Sequence, residues 1–226
     1  MAITTSKISL TGADGVEISA YEASPEGAAK GGVVVIQEIF GVNSHIQAVT
    51  NGYAMAGYDA VAPKLFDRIE PDIELGYDEA AMGQGIDLAF ARLDRARALA
   101  DLQEVIAECA ARGPVGVVGF CFGGLLTWLC ARDLSGVSAA SAYYGGGVPG
   151  EGGSAAQCPA ILHFGDEDAH IPVADVEAFR AQRPETSVYR YPADHGFNCD
   201  QRGTFNAEAA KLAHARTLEF FRKNLT

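Results

Sequence analysis

Cys121 stands at the centre of Gly119-Phe120-Cys121-Phe122-Gly123, between the apolar run Val115–Phe120 and a second apolar segment that starts at once. A glycine-flanked turn from strand to helix has the form of a nucleophile elbow, with cysteine in the serine position. The central residue of such a turn is pushed into a strained backbone conformation, and side chains at the flanking positions would collide with neighbouring elements. The turn also sets the thiol at the amino end of a helix, where unpaired N–H groups and the dipole favour a thiolate. The N–H of Phe122 faces the place where a developing oxyanion would lie. The chemistry indicated is nucleophilic attack on a carbonyl; the competing reading is a glycine-rich turn with an incidental cysteine.

An elbow nucleophile needs a base, and the base needs an orienting acid, in the chain order nucleophile, acid, histidine. Asp166 and Asp168 both follow the apolar run Ala160–Phe164, and their spacing does not separate them. His195 lies just beyond the alternating run Ser187–Tyr191, with Gly196 leaving room around its imidazole. Of the other histidines, His163 falls within a strand, His45 and His170 in loops, and His214 in the last helix. Glu38 closes the run Val33–Gln37, and a carboxylate in so apolar a context is costly unless paired or protonated. Its plainer reading is a cap or salt-bridge partner at a strand end.

Strands and helices alternate around these groups. Val16–Ser24 alternates like an edge strand of a hairpin, preceded by the turn Gly12–Gly15, and Gly31–Ile39 reads as a buried strand. Asn43 is an N-cap candidate for a helix with Ile46, Val49, Tyr53 and Met55 on one face and Gly57 at its close. Tyr58–Pro63 is a short strand, and the polar segment Lys64–Gly85 then interrupts the rhythm. A helix is predicted over Ile86–Arg112, with Leu88, Leu93, Leu99, Leu102, Val105 and Ile106 apolar. Strands at 114–120, 137–145, 160–164 and 187–192 alternate with helices at 123–132, 173–182 and 206–225. Buried strands alternating with helices predict a single α/β domain, 1–226, with a mostly parallel sheet covered on both faces. Ligands of such sheets gather at the carboxyl ends of the strands, where each polar residue named above falls.

With 48% apolar and 20% charged residues, the 226-residue chain suits a globular protein with a large core. A formal charge of −12 and no basic block argue against nucleic acid or an anionic membrane as partner. The first residues lack the apolar region of a signal peptide, and no apolar run reaches membrane-spanning length, which predicts a cytoplasmic protein. Five cysteines without zinc-site spacing read as free thiols in a reducing compartment. No metal ligand set emerges, and no cofactor is expected.

Taken together, Gln37–Gly41, Gly119–Gly124, Tyr143–Gly145, Gly165–Pro172 and Asp194–Phe197 resemble the dienelactone hydrolase family, α/β-hydrolases with a cysteine nucleophile and no large cap domain. The resemblance covers nearly the whole chain. It implies Cys121 as nucleophile, His195 as base and, on the pattern before Pro172, Asp168 in preference to Asp166 as acid. It further implies Glu38 as the resting partner of the thiol and Ile39 and Phe122 as oxyanion-hole donors. Arg68 would bind a substrate carboxylate, and Tyr144 would line the pocket. The implied reaction is hydrolysis of a lactone or enol ester through a cysteinyl thioester. Where the family's best-known form has a second carboxylate-binding arginine four positions after the histidine, this chain has Cys199, with Arg202 as a substitute. A neutral or differently charged small ester is therefore a second substrate reading. An idle hydrolase fold serving binding or thiol redox chemistry is a third. The expected partner is a small lactone or ester, and the expected state is a monomer or weak homodimer. The Lys64–Gly85 segment is predicted to run over the pocket mouth, carrying Arg68.

Overall fold

The structure is a computed structural model that describes residues 2–151 and 153–225. Among these residues eight strands form one sheet: β1 (Ile3–Thr11), β2 (Glu17–Pro25), β3 (Gly32–Ile36), β4 (Asp59–Pro63), β5 (Val115–Phe120), β6 (Val137–Tyr143), β7 (Ala160–Gly165) and β8 (Ser187–Tyr191). Their order is β1-β2-β4-β3-β5-β6-β7-β8. From β4 to β8 every pairing is parallel, and the β1–β2 hairpin adds to β4 antiparallel, so β2 is paired on both sides and β1, not the expected Val16–Ser24 strand, forms the edge. β3 and β5 are buried throughout, which is why they read as unbroken apolar runs rather than alternating ones.

Among the described residues six α-helices cover the sheet: α1 (Ser44–Met55), α2 (Glu79–Ile86), α3 (Arg95–Ala110), α4 (Phe122–Asp133), α5 (Val173–Gln182) and α6 (Ala207–Asn224). The pleat assigns their faces. A Cβ on Gly116 would meet Phe221 of α6, whereas one on Gly119, an odd number of residues away, would collide with α4. α6 meets α1 through Tyr53 and Phe221, and α4 meets α5 through Trp128 and Phe179. Two layers of helix thus enclose the sheet, and none of the described helices is long and apolar enough to cross a membrane.

Three local expectations are revised. The helix predicted over Ile86–Arg112 is broken: a π-helical turn, Asp87–Arg92, ends at an extended Leu93, and α3 begins afresh. Asp94 causes the break, its carboxylate accepting from the N–H groups of Ala96 and Arg97 as an N-cap. Met55 is exposed rather than part of the apolar face of α1, and His45 lies in the first turn of α1 rather than in a loop. The polar Lys64–Gly85 segment is ordered by several devices. A 3₁₀ turn spans Leu65–Arg68, a bridge pairs Gly41 with Glu74, and α2 is capped by Asp78.

Candidate active site

At the end of β5 the chain turns sharply into α4. Cys121 carries φ 56° and ψ −115°, a conformation that a non-glycine residue adopts only when its surroundings enforce it. Those surroundings are close backbone approaches. A Cβ on Gly119 would collide with the Gly123 carbonyl and the Thr127 hydroxyl, and one on Gly123 would collide with the carbonyls of Ile36 and Gln37. The Cys121 N–H donates to the Tyr143 carbonyl at 3.0 Å, fixing the elbow to β6. Phe122 is the first residue of α4, so its N–H has no partner within the helix.

His195 follows β8, with its Nδ1 2.7 Å from Asp168 Oδ2 and a hydrogen bond to Cys121 on its other side. Burial works against its charged form, but the Asp168 and Cys121 hydrogen bonds outweigh that and raise it to about 10. Burial likewise disfavours a charged Asp168, yet the His195 hydrogen bond and the His170 N–H hold its carboxyl below the usual range. Asp166, its rival in the sequence, lies outside this line and pairs with Arg190 at 2.7 Å.

Glu38 lies in the loop after β3, fully buried, and among the described residues neither of its carboxylate oxygens accepts a hydrogen bond. Among the described residues its cationic neighbour is Arg202, whose Nη1 is 3.8 Å from Glu38 Oε1. The Arg202 guanidinium lies over the Phe40 ring at 5.7 Å and against the backbone of Gly196, where any Cβ would displace it. Arg202 therefore reaches the site. Tyr144, at φ 35°, packs edge-on against His195 at 5.1 Å, and its buried hydroxyl has no partner among the described residues. Burial, with Glu38 nearby, pushes that hydroxyl well above its ordinary range. Ile39 is buried beside Glu38, its carbonyl packed so closely under α2 that only a glycine, Gly85, fits there.

Arg68 is placed elsewhere, which corrects the expected carboxylate clamp. Its guanidinium is taken by Asp101 of α3, with one bond at 2.6 Å, and by Asp14 of the β1–β2 turn at 2.7 and 3.0 Å. The pairs tie the hairpin to α3 and leave that guanidinium committed to the scaffold.

Sequence reading missed two ring residues. Tyr77, from the polar segment, packs on Phe40 at 4.6 Å, accepts from Asn43 at 3.0 Å and hydrogen-bonds Cys199. Phe90, from the π-helical turn, is 62% exposed and stands edge-on to Phe122 at 5.5 Å. Only the exposed aromatic in an otherwise helical pattern hinted at Phe90. Nothing in the linear sequence places Tyr77 beside residue 199.

A parallel sheet with a strained cysteine elbow at the end of a central strand, facing a histidine paired with an aspartate, defines an α/β-hydrolase. A family model described as the dienelactone hydrolase family matches residues 18–225. A carboxymethylenebutenolidase from Pseudomonas putida is 32% identical, the alignment covering 96% of this chain and 95% of that protein. A Synechocystis sp. protein carrying the same name provisionally is 38% identical over 93% of each chain. A crystal structure from Klebsiella pneumoniae, provisionally titled a dienelactone hydrolase, superposes with a TM-score of 0.86. It is 29% identical and covers 99% of this chain and 100% of its own. The chain belongs to the dienelactone hydrolase family and is a carboxylic ester hydrolase.

Proposed function

We propose that this protein hydrolyses a lactone or enol ester of the dienelactone kind, carboxymethylenebutenolide among them, through a cysteinyl thioester at Cys121. The observation that carries the reading is the hydrogen-bonded line from Asp168 through His195 to a thiol held on a strained elbow. The names of the relatives support the substrate class.

Catalysis runs as follows. The substrate carboxylate displaces Glu38 from beside Arg202, and the released Glu38 takes the Cys121 proton, so that only a loaded site holds a free thiolate. The thiolate attacks the lactone carbonyl, and the N–H groups of Phe122 and Ile39 receive the oxyanion. The ring C–O bond breaks, the enolate leaves with a proton from His195, and the acyl group remains on sulfur. Water, deprotonated by His195, attacks the thioester and releases the carboxylic acid, and the departing Cys121 thiolate takes back the proton that Glu38 held. Asp168 holds His195 in the orientation both steps need. An enol stabilised by conjugation leaves far more readily than an amine, so peptides are poor substrates for this arrangement.

One charged ligand, Arg202, serves the substrate anion, because Arg68 is bound to Asp14 and Asp101 and Cys199 occupies the family's second arginine position. That single cation favours the second reading in part: a neutral activated ester loses less here than in a two-arginine site. The test compares a carboxylate-bearing dienelactone with a neutral activated ester, using wild type and Cys121→Ala, with intact mass recorded on enzyme quenched during turnover. Hydrolysis of the dienelactone, an acyl adduct in wild type, and a loss of at least about 10³-fold in Cys121→Ala are expected. Turnover of the neutral ester alone would reassign the substrate. Undiminished activity in Cys121→Ala would remove the thioester.

A further inference from the structure

Beside Tyr77, which hydrogen-bonds Cys199, lies a second cluster that the hydrolytic reaction does not use. His45 from the first turn of α1, Cys199 and Asp200 each present one donor atom, all within 4.8 Å of one another. His45 and Cys199 are buried, while Asp200 is exposed to solvent. His45 Nδ1 lies 3.2 Å from Asp200 Oδ1, and its buried Nε2 has no partner among the described residues. Nδ1 is the nitrogen on the Asp200 side, so a ligand shared with Asp200 takes Nδ1 and leaves the ring proton on Nε2.

We propose that His45, Cys199 and Asp200 form a binding site for a thiophilic divalent cation of the zinc type. A thiolate, an imidazole and a carboxylate are the donors such an ion selects. Two anionic donors and a neutral ring balance a charge of +2. Tetrahedral zinc places such donors about 3.3–3.6 Å apart, so the widest gap in the cluster closes by up to about 1.5 Å around the ion. Water completes the coordination from the solvent side.

Access is provided. His45, Asn198 and Asp200 line an open cavity of about 390 Å³ between α1 and α6. The net charge of −12 concentrates cations near the surface. Nearby, Glu38 adds to the attraction and Arg202 opposes it, both acting electrostatically on Cys199. The thiol enters neutral, since burial pushes it up to about 11, and its proton passes to solvent as the metal–sulfur bond forms. The Cys199 N–H bonds the Gly196 carbonyl, and its own carbonyl accepts from Arg202 N–H, so a bound ion clamps the turn joining His195 to Arg202.

The test is titration of the whole protein with cobalt(II) under anaerobic conditions, following the thiolate-to-cobalt charge-transfer band in the near ultraviolet. Because Cys121 and His195 also form a thiol–imidazole pair, Cys121→Ser is the control. The expected result is a band saturating at one equivalent in wild type and in Cys121→Ser, bleached by zinc and lost in Cys199→Ser. Asp200→Asn, a change at an exposed position that leaves the core intact, is expected to weaken cobalt binding at least about tenfold. A band that survives Cys199→Ser, or disappears in Cys121→Ser, overturns the assignment. So does the absence of any band in wild type at millimolar cobalt, or unchanged affinity in Asp200→Asn.

Discussion

His195 carries a raised pKa of about 10 because Asp168 and Cys121 both hold its proton. Its contribution to stability has a definite sign. In the unfolded chain the imidazole loses its proton near 6.5, whereas in the fold it keeps it to about 10. The stabilisation is therefore complete below pH 6.5 and declines to nothing as pH rises through about 10. Urea unfolding of wild type and His195→Gln at pH 6, 8 and 10 is expected to show a stability difference that shrinks with each step. A difference constant across that range would mean the imidazole is neutral in the resting fold. Arg202 makes its own prediction under the proposed substrate reading. Arg202→Ala removes a charged hydrogen bond worth about 1.5–3 kcal/mol, which should raise KM for a carboxylate-bearing lactone roughly 10–150-fold. The neutral ester should be nearly unaffected, and equal losses on both substrates would place the role of Arg202 elsewhere.

At the scale of elements, the glycines of the elbow and the ion pairs of the hairpin do different work. Gly123→Ala forces a Cβ against two carbonyls of the β3 end, and because backbone there cannot yield cheaply, little folded protein is expected in a soluble-expression assay. Arg68→Ala leaves Asp101 fully buried with its chief partner gone, a change expected to cost roughly 3–5 kcal/mol in denaturant unfolding. The kcat/KM of the fraction still folded should change less than about threefold, whereas a substrate-binding arginine would lose far more. The difference between Cys121 and Arg68 also explains what a sequence reading reaches. Cys121, Asp168, His195 and Glu38 each sit at the end of a recognisable strand, and a parallel sheet delivers strand ends to one edge. Arg68 matched a familiar local pattern, but its partners lie in a turn and a helix far away in the chain, where no local signal records them. Asp94 was legible in principle as an N-cap. The apolar period simply ran on across the break and masked it.

Across the whole molecule, the site draws on five separate stretches: the loop after β3, the elbow after β5, Tyr144 after β6, the loop after β7, and the loop after β8 that carries both His195 and Arg202. The sheet centre is equally dispersed, since β3 pairs with β5 only after α1, β4, α2 and α3 have intervened. Such long-range pairing folds slowly, because loop closure precedes the contacts that reward it. A consequence concerns the chain as it is being made. β6, which holds the elbow, and Asp168 leave the ribosome first, but until residues beyond 195 have followed them Cys121 has no base. A growing chain therefore carries a cysteine on an elbow without its base, and reactivity as a nucleophile arrives only with the loop after β8.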